Sequence, residues 1–223
     1  THRLLQELIK SQYVIQDKQS GKYSISCKLI ELGSAVLPHL ELKKQAESIM
    51  QQLMQETSES VHLSIQNQQD VVYVHKVDSP VPIPFYTHIG GRAPLYCVAT
   101  GKAMLAYKNS LFIDNVKKNL NPKTSNTIIS ANLLEEELKE IRLRGYSVNK
   151  GELKEDIYGV AAPIMNKTGN IIAAIGLSGH GNRFTNKKIH AYGEMLIQAA
   201  KSITGLQNDH DQYANLQRLI LSW

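Results

Sequence analysis

The sequence predicts an α+β fold with a mostly antiparallel sheet flanked by helices. The first observation is a hairpin pattern, in which runs rich in Val, Ile and Ala over 160–165 and 171–178 surround a short polar turn. The second is the alternation of apolar and polar residues over 61–66, which is typical of a strand. The third is helical spacing of apolar residues over 40–57 and 185–206.

Composition narrows the class of protein. The chain has 223 residues, 42% of them hydrophobic and 20% charged, which fits one or two globular domains. No apolar run approaches the ~20 residues that a membrane helix needs, so no membrane partner is expected. Cys27 and Cys97 lie far apart and lack CxxC spacing, which favours a reducing, cytoplasmic setting. The chain begins at Thr1 without a methionine, and we expect it to be a fragment.

The first 28 residues form the basic part of the molecule, with five Lys or Arg against two acidic residues and a net +3 of the chain's +5. Thr1–Ser11 has helical spacing, and two short strands, Tyr13–Gln16 and Tyr23–Ser26, surround the basic turn Asp17–Lys22. Helix, strand, basic turn and strand make up the second half of a winged helix-turn-helix, which binds DNA. The alternative is a solvated helix and hairpin that cap the larger domain.

A second functional segment is Ile89–Ala106, a glycine-rich loop that runs into a helix. Free N–H groups at a helix start favour an anion, and the small Ala99 and Gly101 let a ligand approach the backbone. Asn149–Tyr158 is a polar, acidic loop ahead of the 160–178 hairpin. These features predict a small-molecule pocket between loop and sheet. The alternative is a packing loop beside a plain hairpin.

Four segments resemble the IclR family of bacterial transcriptional regulators. Thr1–Gln6 is similar to the family's V-H-R-L-L-Q helix, Gly21–Ile25 to its G-x-Y-x-L strand, and Leu29–Gly33 to its L-x-E-L-G helix. Ile89–Ala106 is similar to I-G-x-x-x-P-L-x-x-x-A-x-G-K-A-x-L-A. One departure is Gln12, where the family's G-Y-V strand begins with glycine. Within the family, the chain looks most like regulators of 2-keto-3-deoxygluconate use.

The resemblance implies a ligand-responsive transcriptional regulator, a repressor of a carbon-catabolism operon. It implies partners of three kinds: double-stranded operator DNA, a small anionic effector (a keto acid or sugar acid), and further copies of the chain in a homodimer or tetramer. It also implies that the first half of the DNA-binding domain is absent. The expected domains are a partial winged helix-turn-helix (1–27), a linker helix (28–39), a GAF-like effector-binding domain (40–206) and a tail (207–223).

The resemblance also assigns site residues. The DNA-binding residues are expected to be Thr1, His2, Arg3, Gln6, Lys18 and Lys22. The effector-binding residues are expected to be Ala99, Thr100, Gly101, Asn149, Gly159, Gly176, Ser178 and Cys97. Asn149, Gly159 and Gly176 replace an acidic residue, a cysteine and a serine of the family pattern. Because these changes remove polar groups and volume, we expect a ligand that is bulkier than glyoxylate or pyruvate or that carries different functional groups.

No catalytic, metal or cofactor residues are predicted. His62 and His75 could lie on neighbouring strands but lack a third ligand at suitable spacing. Glu135–Glu137 is interpreted as a solvated face, and Cys97 has no partner that would make it a nucleophile. Two other functions stay open: an enzyme that uses the same pocket on a sugar acid, and a sensor or oligomerisation module without a DNA role.

Overall fold

The computed structural model describes residues 2–29, 38–81 and 87–205, and the chain divides into two compact units between Glu41 and Leu42. In the first unit, helix α1 (His2–Lys10) precedes strands β1 (Val14–Gln16) and β2 (Tyr23–Ile25), which pair antiparallel. Helix, strand, turn and strand therefore follow in the predicted order. The expected linker helix and tail fall mainly on 30–37 and 206–223, outside the described residues.

Local hydrogen bonds explain the turn of the first unit. Asp17 Oδ1 accepts from the backbone N–H groups of Gln19 and Ser20, which closes a turn of the kind that Asp favours. Gly21 follows with φ +68°. Gln12 adopts φ +63°, in the left-handed region that favours glycine. The positive φ explains why glycine suits the first position of the G-Y-V pattern. Gln12 adopts the same conformation with some backbone strain.

The second unit is built on one six-stranded sheet in the order β5-β4-β3-β8-β7-β6, with every neighbouring pair antiparallel. This confirms the α+β class and the antiparallel sheet. The strands are β3 (Ser60–Asn67), β4 (Asp70–Val77), β5 (Arg92–Pro94), β6 (Ser147–Lys150), β7 (Ile157–Met165) and β8 (Ile171–His180). The helices are α2 (Pro38–Thr57), α3 (Ala99–Leu105), α4 (Ser110–Lys117), α5 (Ala131–Arg144) and α6 (Asn186–Gly205), with 3-10 turns at Leu95–Cys97 and Gly181–Arg183.

Helices cover both faces of this sheet. On one face, α2 and α6 form a core through residues such as Met50 and Leu196. On the other, α3, α4 and α5 form a second core through residues such as Met104, Ile113 and Leu138. Burial on both faces explains why β7 and β8 are continuous apolar runs rather than alternating ones. No helix in the described ranges is long and apolar enough to span a membrane.

The strands differ from the expected ones mainly at their ends. The hairpin turn between β7 and β8 is as predicted, with Gly169 at φ +80°. However, β7 begins at Ile157, earlier than the apolar pattern indicates. Asn149 lies on β6 opposite Gly159 and not in a loop. The polar segment that remains is the loop of residues 151–156, which we call the β6–β7 loop.

Candidate functional site

A cavity of about 60 Å³ lies between the start of α3, the sheet and the β6–β7 loop. It brings together six of the eight residues that the sequence proposed for effector binding: Ala99, Thr100, Asn149, Gly159, Gly176 and Ser178. The other two, Cys97 and Gly101, do not line it. Nine lining residues were not anticipated for this role: His62, Tyr73, Thr87, Val98, Leu153, Lys154, Ile157, Tyr158 and Leu177.

Two polar side chains of β6 hold the start of α3 against the sheet. Ser147 Oγ donates to the carbonyl of Ala99 at 2.6 Å, and Asn149 Nδ2 donates to the carbonyl of Cys97 at 2.5 Å. Asn149 Oδ1 accepts from the N–H groups of Gly151 and Glu152 at 2.9 and 3.1 Å. Asn149 therefore lines the cavity, but its polar atoms are used to join α3 to the β6–β7 loop.

Helix α3 begins at Ala99, so the free N–H groups that the sequence places at a helix start are those of its first residues. Its first intrahelical bond runs from Lys102 N to Val98 O, and Val98 supplies no side-chain cap. The amides of Ala99, Thr100 and Gly101 therefore precede the hydrogen-bond ladder. The first two of these residues line the cavity.

Gly101 and Cys97 have packing roles instead. A Cβ at Gly101 would overlap the backbone of Leu95, so the glycine lets α3 lie close against the preceding 3-10 turn. Cys97 is fully buried, and burial raises the pKa of its thiol to about 12, with a smaller contribution from Glu152. A thiol with such a pKa stays protonated at neutral pH and is a poor nucleophile.

The strand glycines do not leave the expected room for a bulkier ligand. A Cβ at Gly176 would lie 2.9 Å from the carbonyl oxygen of Val160 and 3.0 Å from Thr100 Cγ2. A Cβ at Gly159 would lie 3.4 Å from the Ala99 Cβ. At both glycines α3 takes up part of the space that a side chain would need, so the helix lies close against the sheet.

The polar end of the cavity is organised by His62. Its Nε2 lies 2.6 Å from Thr87 Oγ1, and its Nδ1 lies 3.4 Å from Ser178 Oγ. The ring packs against Tyr73 with centroids 5.2 Å apart. Burial lowers the pKa of His62 to about 4, and nearby Lys76 lowers it further against the opposing effect of Asp78. The imidazole is therefore neutral at pH 7 and offers one donor and one acceptor.

Two further side-chain predictions can be compared with the structure. His75 points to the opposite face from His62 and contacts Glu47, and the described residues contain no group of three potential metal ligands. Glu135–Glu137, interpreted as a solvated face, is only partly exposed, because two of its carboxylates form ion pairs. Glu135 accepts from Lys117 at 2.6 Å and Glu137 accepts from Arg144 at 2.8 Å, and both are half-buried.

The residues proposed for DNA binding lie in the first unit. Arg3 and Gln6 are exposed on α1, and Lys18 and Lys22 are exposed at the β1–β2 turn. Thr1 and the side chain of His2 lie outside the described part of the chain.

An exposed basic helix and hairpin, joined in one chain to an α+β unit with a small, partly open cavity, fit the class of transcriptional regulators. Residues 34–205 match the family model described as "Bacterial transcriptional regulator IclR C-terminal". The chain belongs to the IclR family of bacterial transcriptional regulators.

Curated relatives and solved structures agree with this family. The chain is 33% identical over 212 residues to the "HTH-type transcriptional regulator KdgR" of Escherichia coli K12, covering 94% of this chain and 81% of that one. It is 30% identical over 208 residues to the "Transcriptional repressor IclR" of the same organism, covering 92% and 76%. The crystal structure of Thermotoga maritima IclR matches with a TM-score of 0.77 at 33% identity, covering 91% and 83%. The C-terminal domain of E. coli KdgR matches with a TM-score of 0.67 at 30% identity, covering 74% and 98%.

Proposed function

We propose that this regulator is a repressor of a carbon-catabolism operon, and that a small carboxylate, a keto acid or sugar acid, binds the cavity and alters operator binding. The observation that carries this proposal is the convergence of Ala99, Thr100, Gly159, Gly176 and Ser178 on one partly open cavity. An effector changes DNA binding only if it binds one conformation of the protein more tightly than another. The shape of the cavity must therefore differ between the conformation that binds the operator and the conformation that releases it.

The size of the cavity favours a short ligand. One water needs about 10–15 Å³ of such space, so about 60 Å³ accommodates roughly four to six non-hydrogen atoms. That is the scale of pyruvate or a similar keto or hydroxy acid. A longer sugar acid requires the β6–β7 loop to move outward.

The chemistry of the lining favours an acid with a further oxygen group. The cationic Lys154 and the first amides of α3 lie at the cavity and suit a carboxylate. The neutral Thr87–His62–Ser178 chain suits a carbonyl or hydroxyl oxygen, because it can donate and accept without adding a charge. A ligand that carries both groups satisfies both ends of the cavity.

The same chain of groups is the strongest argument for the alternative function, an enzyme. Ser178, His62 and Thr87 have the order of a nucleophile, a base and an orienting residue. The geometry favours a binding role instead, because the Ser178–His62 contact is long at 3.4 Å. A histidine with a pKa near 4 is also a weak base at neutral pH. Incubation of the protein with esters and sugar acids, followed by product analysis, separates the two functions.

For the first unit we propose contact with double-stranded operator DNA through Arg3, Gln6, Lys18 and Lys22, together with Thr1 and His2. The support is their exposure on a helix and a hairpin turn, the arrangement that places a helix in the major groove and a wing along the phosphates. We also propose a homodimer or tetramer, with exposed Leu29 contributing to an apolar contact surface. Light scattering that shows a monomer at micromolar concentration contradicts this assembly.

The direct experiment on effector binding is a thermal-shift screen of keto acids, hydroxy acids and sugar acids. A ligand that binds only the folded protein raises the unfolding midpoint by mass action. We expect the largest shift from a short acid with a second oxygen group, and a smaller one from the matching amide, which lacks the charge. If no carboxylate raises the midpoint while uncharged compounds do, the proposed effector class is wrong.

A further inference from the structure

We propose that the buried ion pair of Lys102 and Glu152 is a latch that holds the β6–β7 loop closed over the cavity and limits the length of the acid that binds. The latch itself follows from contacts within the protein. Its consequence for ligand length rests on the proposed effector function. Lys102 and Glu152 act here as positioning residues, since neither lines the cavity.

Lys102 belongs to the Gly-Lys pair of the Ile89–Ala106 segment, where a lysine would be expected to meet an anionic ligand. The structure places it elsewhere. Its side chain is 1% exposed, and Nζ lies 2.6 Å from Glu152 Oε1 and 3.6 Å from Glu137 Oε1. Glu137 in turn accepts from Arg144. The positive charge of α3 is therefore directed to the loop and to α5.

Two sets of contacts anchor the first residues of the loop. Asn149 Oδ1 accepts from the N–H groups of Gly151 and Glu152. The hydroxyls of Thr124 and Thr127 donate to the carbonyls of Gly151 and Glu152, both at 2.7 Å. With Lys102, these contacts fix the backbone and the side chain of Glu152.

The residues that follow this anchor form part of the cavity wall. Leu153 and Lys154 line it, while Lys154, Glu155 and Asp156 are exposed. The far end of the loop is held by the N–H of Gly181, which donates to the carbonyl of Asp156 at 2.8 Å. Release of the buried anchor therefore lets the segment before Asp156 move outward about this fixed end. Such a movement enlarges the cavity on the side of Leu153 and Lys154.

The latch is not explained by stability alone. Two buried charges lose hydration, and an apolar pair of similar volume is often at least as stable. Glu152 Oε2 is buried and has no hydrogen-bond partner among the described residues. Burial raises the pKa of Glu152 against the opposing effect of Lys102. An outward movement of the loop rehydrates both charges, so the free-energy difference between the closed and open loop is small. Ligand contacts with Leu153 and Lys154 increase this difference in favour of the closed loop.

The first test measures the loop without any ligand. Hydrogen exchange is followed by mass spectrometry in the wild type, in Lys102→Met and in Glu152→Gln, which keeps an acceptor for Lys102 and so protects folding. The control is Lys117→Met, which breaks an ion pair of the same 2.6 Å length between α4 and α5. We expect amides of the β6–β7 loop to exchange at least about tenfold faster in both latch variants, with β3 and β8 unchanged.

Two outcomes overturn the latch. One is unchanged loop exchange in both variants. The other is faster exchange spread equally over the loop, β3 and β8, which would show general destabilisation. In either case Lys102 and Glu152 are ordinary core residues.

The second test measures ligand length by calorimetry with pyruvate and D-gluconate. We expect the ratio of the two dissociation constants to shift towards gluconate by about tenfold in the latch variants and to stay constant in Lys117→Met. A faster-exchanging loop with an unchanged ratio overturns the length limit. If neither acid binds the wild type, the proposed effector class fails, and the exchange result still decides whether the latch exists.

Discussion

The neutrality of His62 predicts a specific dependence of stability on pH. In the unfolded chain the imidazole titrates near 6.5, whereas in the folded protein its pKa is about 4. Between these values the unfolded state binds a proton that the folded state does not. The free energy of unfolding therefore falls as the pH drops from 6.5 to 4, and the contribution of His62 is fully retained above 6.5.

The size of the effect follows from the two pKa values. A difference of about 2.5 pKa units corresponds to a loss of about 3 kcal/mol by pH 4, at about 1.4 kcal/mol for each unit. Replacing His62 by Gln removes the titrating group but keeps a side chain that can bond to Thr87. We expect the variant to lose this component of the pH dependence.

The assay is urea unfolding of the wild type and His62→Gln at a series of pH values from above 6.5 down to 4. The free energy of unfolding is extrapolated to zero urea at each pH. Subtracting the variant's values from those of the wild type then cancels the contribution of the carboxyl groups that both proteins share. His190→Gln, which removes an exposed imidazole of α6, is the matched control. Parallel curves for the wild type and His62→Gln would refute the buried neutral histidine.

Three further predictions concern DNA contact, packing and backbone strain. In the intact regulator, Lys22→Ala should weaken binding to all DNA sequences about equally and reduce the salt slope by about 1, whereas Arg3→Ala should alter base preference; unchanged operator affinity in both variants would contradict the DNA assignment. Gly176→Ala should reduce stability by about 1–3 kcal/mol because its Cβ would lie 2.9 Å from the Ala161 Cβ and the Val160 carbonyl oxygen and 3.0 Å from the Thr100 methyl group. Adding Thr100→Ser should restore part of that loss in urea unfolding, and a Gly176→Ala protein as stable as the wild type would show that the crowding does not occur. Gln12→Gly should stabilise the first unit by about 1 kcal/mol by relieving a positive φ; a lower melting temperature would contradict this.

The sequence was sufficient for features that depend on neighbouring residues. The 160–178 hairpin followed from two apolar runs and a turn glycine, and Gly169 indeed has a positive φ. The antiparallel sheet followed from the same local patterns. The start of β7 could not be predicted, because Ile157–Gly159 follows a polar segment and is too short to show the alternation typical of a strand.

The lining of the cavity and the position of the β6–β7 loop depend on contacts between residues that are far apart in the chain. His62 and Ser178 are 116 residues apart, and Lys102 and Glu152 are 50 apart, so no spacing rule joins them. The alternation of β3 does place His62 on the face opposite Leu63, and this was the available signal for it. The tightness of Gly176 also could not be predicted, since it requires knowing that α3 crosses the sheet at that point.

The central claim, that a small acid occupies the cavity between α3 and the sheet, is tested most directly by backbone amide NMR. Pyruvate, or the strongest acid from the thermal-shift screen, is titrated into labelled protein. The proposed site predicts saturable shifts for Ala99, Thr100, Ser178 and the β6–β7 loop, and weaker binding in Ser178→Ala by about 1 kcal/mol, the scale of one hydrogen bond. Shifts confined to other parts of the protein, with these amides unchanged at saturation, would contradict it.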